Sequence, residues 1–118
     1  MMESDSLENL KTRLREFAGE RDWDQFHSPK NLSMALIAEA AELIEHFQWL
    51  TQEESSNLPA DKLKEVGQEL ADILIYLIRI ADKLGIDLVQ AADRKIDLNA
   101  VKYPAEVVKS SAKKYSEY

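Results

Sequence analysis

Apolar residues recur along the chain at intervals of three and four, the spacing that gathers them on one side of an α-helix. Leu7, Leu10, Leu14 and Phe17 predict a first helix from about Ser6 to Ala18, stopped by Gly19. A polar and aromatic stretch follows, Glu20 to Lys30, with Trp23, Phe26, His27 and Pro29. The stripe Leu32, Leu36, Leu43 and Phe47 predicts a second helix from about Asn31 to Gln48. Trp49 to Pro59 carries Ser, Asn and Pro and reads as a loop. A third helix spans Ala60 to Leu84 and stops at Gly85. Asp87 is placed to cap a fourth helix reaching about Val101, which Pro104 closes.

Composition narrows the class to all-α. The 118 residues include only 3 Gly and 3 Pro, about 5% of the chain against roughly 12% in average usage. So few turn-formers cannot build the many tight turns of a sandwich or barrel. Fifteen leucines and thirteen alanines favour helices. The length suits a single domain over 1–118, with residues from about 109 to 118 as a C-terminal tail.

Several function classes fall away. No stretch approaches the ~20 apolar residues of a membrane span. Met1 to Asp5 lacks the basic and apolar regions of a signal peptide, so a cytoplasmic location is expected. The absence of cysteine excludes disulfides, thiolate zinc sites and cysteine nucleophiles. A net charge of −7 argues against nucleic-acid polymers, whose binding needs Lys and Arg to displace counterions. Neither a membrane nor a nucleic acid is expected as partner.

The informative feature is where the carboxylates sit. Glu39 falls inside the apolar stripe of the second helix, between Leu36 and Leu43. Glu42 and Glu45 follow at steps of roughly 60° around the same helix, so the three form an acidic ridge starting on the buried face. In the third helix Leu70 to Ala81 reads LADILIYLIRIA, where only Asp72 and Arg79 are charged. Glu69 stands one turn before Asp72. The resulting pattern is E-x-x-E, 26 intervening residues, then E-x-x-D.

An ionised carboxylate on a buried face costs several kcal/mol unless paired or metal-bound. Two readings stand beside each other. The acids pair with bases or face water, Asp72 with Arg79 being the obvious buried ion pair and His46 a local partner for Glu42. Alternatively the four bind a divalent metal, and an all-carboxylate set selects Mg²⁺, or Mn²⁺, over zinc or copper. Bases near these positions are few, which favours the metal. A di-iron bundle would need Glu-x-x-His on two helices, and no such pair occurs.

With these residues in place the sequence resembles the all-α nucleoside triphosphate pyrophosphohydrolases, the MazG-like superfamily. Their two E-x-x-[ED] pairs, on antiparallel helices that bind Mg²⁺, are matched by Glu39, Glu42, Glu69 and Asp72. Their K-x-x-x-N-x-x-[RK]-x-P segment is similar to Lys95, Asn99, Lys102 and Pro104. Residues Glu20 to His27 (ERDWDQFH), Phe47 to Trp49, Asp72 to Leu77 and the Lys114 to Glu117 tail resemble the branch that degrades dCTP and modified deoxycytidine triphosphates. The resemblance covers roughly residues 7 to 117. It implies cleavage between the α- and β-phosphates, giving a nucleoside monophosphate and pyrophosphate. It also implies a homo-oligomer, a tetramer built as a dimer of dimers.

The residues can be given roles on that basis. Glu39, Glu42, Glu69 and Asp72 would hold the metal, with Glu42 and Glu45 the catalytic candidates and Glu45 placed to orient or deprotonate the attacking water. Lys95, Asn99 and Lys102 share one helix face and would meet phosphates and sugar. Trp23, Trp49 and Tyr76 would stack on the base, with His27 beside them. A third helix apolar nearly all round has more hydrophobic surface than one short chain can cover, which independently favours self-association. Within the enzyme reading, a dUTP-preferring or broad-specificity activity is the rival to dCTP. Outside it stands a non-catalytic helical module whose acidic ridge binds a basic partner, which would leave Glu39 and Asp72 unexplained.

Overall fold

The computed structural model describes residues 3–110, of which 3–5 by backbone alone. All regular structure among the described residues is helical. The chain divides into two compact units, one ending at Gly85 and one beginning at Ile86.

The first unit opens with α1 (Glu3–Glu20), longer at both ends than the leucine spacing predicted. Asp22 takes a left-handed φ of 56° just past it, and the Trp23 N–H returns to the Ala18 carbonyl at 2.9 Å. A short 3₁₀ turn, Asp24–Phe26, leads to α2 (Pro29–Glu45). This helix starts before the expected Asn31 because Ser28 caps it, its hydroxyl accepting from the Asn31 N–H at 3.1 Å, with Pro29 in the first turn. It ends at Glu45 rather than Gln48, followed by a turn through Leu50.

The expected loop of Trp49 to Pro59 contains a one-turn helix, α3 (Gln52–Ser55). Thr51 and Glu54 form a reciprocal capping box, Thr51 N–H to Glu54 Oε1 at 2.9 Å and Glu54 N–H to Thr51 Oγ1 at 3.1 Å. The long α4 (Ala60–Leu84) has the predicted limits and ends on Gly85 at φ 67°, a left-handed cap that glycine adopts without strain.

Packing in this unit centres on α2 against α4, with α1 laid on α4 as well. Ala18, Leu32, Val66, Ile78 and Ala81 are buried at these contacts. Much apolar surface is not. On α4, Leu63, Leu70, Leu74, Leu77 and Leu84 are 36–57% exposed, at steps of seven, four, three and seven residues that keep them in a seam on one side of the helix. Ile37 and Ile44 of α2 are more exposed still.

In the second unit Asp87 caps α5 (Leu88–Lys102) as expected, accepting from the Gln90 N–H at 3.0 Å. Pro104 then starts the short α6 (Ala105–Val108). The tail motif Lys114 to Glu117 lies outside the described residues. No helix among the described residues is long and apolar enough to cross a membrane.

Candidate metal centre

The packing of α2 on α4 brings together the acids that interrupt both apolar faces. Glu39 of α2 and Glu69 and Asp72 of α4 each offer an oxygen within 4.8 Å of the others. All three are half-buried. One oxygen of Glu39 and one of Glu69 are fully shielded from solvent and have no hydrogen-bond partner, a costly state for a carboxylate. Exposed Glu42, one turn along α2, lies within hydrogen-bonding reach of both Glu39 and Glu69.

The electrostatics follow from this crowding. Glu39 is pushed up to about 7, first by burial and then by Glu42, Asp72 and Glu69. Glu69 is raised as well, by burial and by Glu42, with His46 opposing. Acids this close cannot all ionise without a cation among them. Three of the four basic side chains of α4 are engaged elsewhere, Lys62 with Glu65 and Arg79 and Lys83 with Asp24; the fourth is Lys64, in the first turns of the helix. Orphaned buried oxygens and an all-carboxylate donor set fit a hard divalent cation.

Two expected partnerships are corrected. Asp72 is not the partner of Arg79, whose Nη2 lies 2.8 Å from Asp24 Oδ1 and whose Nη1 lies 3.7 Å from Asp82. Seven residues along one helix separate Asp72 and Arg79 by roughly 10 Å, too far for direct pairing. His46 faces Glu65 across the helix pair at 3.9 Å instead of pairing with Glu42 on its own helix.

Of the other singled-out residues, Tyr76 belongs with the cluster. Burial and the charges of Glu39 and Asp72 raise its phenol. Glu45 is exposed at the end of α2 and stands outside the three converging acids. Trp23 packs edge-on against Phe17, ring centres 5.7 Å apart, while Trp49 is 86% exposed after α2. His27 accepts from Arg79. In the second unit Lys95, Asn99 and Lys102 are exposed on α5, with Lys102 over the Tyr103 ring. The grip of buried Arg79 on Asp24 and His27 had one sequence signal, a lone arginine inside an apolar run.

The MazG-like family profile matches residues 35–118, a span holding all four acids and the Lys95 to Pro104 segment. The chain belongs to the MazG-like family. Among its relatives, dCTP pyrophosphatase 1 of Homo sapiens is 43% identical over 115 residues, spanning 95% of this chain and 67% of that protein. The Mus musculus protein of the same name is 41% identical with the same coverage. A pyrophosphatase from Archaeoglobus fulgidus has a similar crystal structure, with a TM-score of 0.79 at 40% identity over 84% of this chain and 93% of that one. The MazG-like assignment covers Trp49 and Tyr76 too, while Trp23 and His27 lie outside the profile and inside the stretch shared with the longer matches.

Proposed function

We propose that this MazG-like chain is a nucleoside triphosphate pyrophosphohydrolase that converts a deoxynucleotide, foremost dCTP or a modified dCTP, to the monophosphate and pyrophosphate. The observation that carries the reading is the trio Glu39, Glu69 and Asp72, whose oxygens converge with two of them buried and unpartnered. The extensive identity to dCTP pyrophosphatase 1 supports the choice of substrate.

Glu39, Glu42, Glu69 and Asp72 would hold Mg²⁺, with Mn²⁺ the alternative. When bound, the ion supplies positive charge against the triphosphate and makes water more acidic. The carboxylates fix where that charge sits, since without it they would repel the substrate. In the reaction the water oxygen bonds to phosphorus, the α–β bridging P–O bond breaks, and the bridging oxygen leaves with pyrophosphate. Glu45 takes the proton from the attacking water, and Glu42 links the two helices' acids. Tyr76, beside Glu39 and Asp72, leads from the phosphates towards the base, for which Trp23, Trp49 and His27 are the further contacts. Lys95 and Lys102 serve the phosphates and Asn99 the sugar or a phosphate.

The proposal includes a homo-oligomer, with a tetramer of paired dimers favoured, because the leucine seam of α4 and the outer isoleucines of α2 suit burial against further copies. It treats residues 1–118 as one functional domain working in the cytoplasm. Incubation with dCTP and MgCl₂ should release dCMP and pyrophosphate in equal amounts. Comparing kcat/KM over a panel of NTPs and dNTPs tests the substrate: a preference for dUTP, or no preference, would replace dCTP, and no pyrophosphate from any nucleotide would leave a binding module.

A further inference from the structure

Arg79 is the one buried charged residue among the described residues, 4% exposed, and its contacts reach the segment between α1 and α2. Its Nη2 lies 2.8 Å from Asp24 Oδ1 and 3.2 Å from His27 Nδ1, and its Nε lies 3.4 Å from the same nitrogen. Lys83, one turn on, reaches Asp24 Oδ1 at 2.7 Å. The other end of the segment is held by Phe17 against Trp23. So a loop of exposed residues is clasped at both ends.

The clasp also decides the chemistry of His27. A guanidinium has donors only, so Nδ1 must present its lone pair to Arg79. Burial and the Arg79 charge, with Lys83 adding to them against Asp24, lower the imidazole's affinity for a second proton. This arrangement favours the neutral ring with its hydrogen on Nε2, which would make it a single donor of fixed identity.

The position on α4 is informative. Glu69, Asp72, Tyr76 and Arg79 follow at steps of three, four and three, one face of the helix. The acids occupy one end of that face and the arginine the other, roughly 10 Å from Asp72 along the axis. That is of the order of the distance from the phosphates of a nucleotide to its base. We propose that Arg79 is a positioning residue for the nucleoside end of the substrate: by gripping Asp24 and His27 it fixes the 22–28 loop on α4 and sets His27 as an Nε2–H donor for an acceptor atom on the base edge. This rests on the pyrophosphohydrolase reading above and adds to it a residue that touches neither metal nor nucleotide.

The test combines a spectrum and kinetics on the full chain. With only two histidines present, a long-range ¹H–¹⁵N spectrum with His46→Gln as assignment control reads the His27 ring directly, without nucleotide. His27 is expected as the neutral Nε2–H form at neutral pH, and Arg79→Lys should convert it to a mixture. Since emptying this buried position risks unfolding, Asp24→Asn loosens the same clasp from its exposed side. Each variant should raise KM for dCTP about tenfold while kcat stays within about twofold, and Arg79→Lys combined with His27→Gln should be no worse than His27→Gln alone. A His27 protonated on Nδ1 in the unaltered chain, a fall in kcat at constant KM, or additive losses in the double variant would overturn the proposal. If the unaltered chain releases no pyrophosphate, the enzymatic reading fails with its substrate, and the spectrum still decides whether Arg79 sets the His27 ring.

Discussion

Arg15 of α1 grips Asp82 of α4 with two parallel hydrogen bonds, Nε to Oδ2 at 2.7 Å and Nη2 to Oδ1 at 2.5 Å. The pair is two-pronged and far apart in sequence, so it ties the first helix to the last of its unit. Asp82 also lies 3.7 Å from Arg79 Nη1, so Arg15 meets the Asp24 and His27 clasp only through an intervening residue. Arg15→Lys, which keeps the charge and loses the fork, should lower the Tm by a few degrees while leaving kcat/KM for dCTP within about twofold. Thermal melts and steady-state assays on one preparation check both halves.

Neutralising the acids should do the reverse. Glu42→Gln and Asp72→Asn remove charge with almost no change of shape, so the fold persists and metal affinity falls. Mg²⁺-dependent turnover should drop roughly a hundredfold or more, with weaker ion binding by calorimetry. Full turnover by Glu42→Gln at limiting Mg²⁺ would remove that residue from the metal set.

The elevated Glu39 gives a pH dependence whose sign can be worked out. Its carboxyl goes from an ordinary 4.5 to about 7 in the ion-free fold, so the folded chain binds its proton more tightly than the unfolded one. That contribution to stability is complete below 4.5 and disappears as pH rises through about 7. Asp24 and Asp82 are lowered instead, by Lys83 and Arg79 and by Arg15, so their contribution is lost only in stronger acid. Divalent ions need the ionised acids, hence Mg²⁺ affinity should strengthen from pH 6 towards 8 with proton release on binding. Calorimetry in buffers of different ionisation enthalpy measures that release.

The exposed leucine seam predicts the assembly. A charge at Leu74, in Leu74→Glu, should convert the oligomer to smaller species by light scattering at micromolar concentration while retaining helical circular dichroism. If the unaltered chain is already a monomer there, the assembly proposal fails.

How much of this was legible beforehand depended on the range of the interaction. The limits of α4 and the capping roles of Asp87 and Gly85 are local, written in spacing and in single residues suited to a cap. The acids were visible because they broke an apolar pattern that two helices otherwise keep. Hydrophobic spacing alone starts α2 two residues late, although Ser28 and Pro29 form a local signal. The one-turn α3 reads as loop in the sequence because its capping box, Thr51 to Glu54, precedes no apolar run. The Arg79 to Asp24 pair joins residues 55 apart, and nothing periodic announces it. Asp72 was the nearer acid in sequence, and helix geometry keeps the two apart.

The cluster of Glu39, Glu69 and Asp72 sets a conflict between durability and activity. Unpartnered oxygens and mutual repulsion cost the ion-free chain stability at the proposed site. A leucine at position 39 would continue the apolar stripe of α2 and relieve that tension, so selection for stability alone would favour it. On the proposed metal binding, retaining the acids would tie the endurance of the fold to the supply of divalent ion, and the chain would be sturdiest when equipped to work.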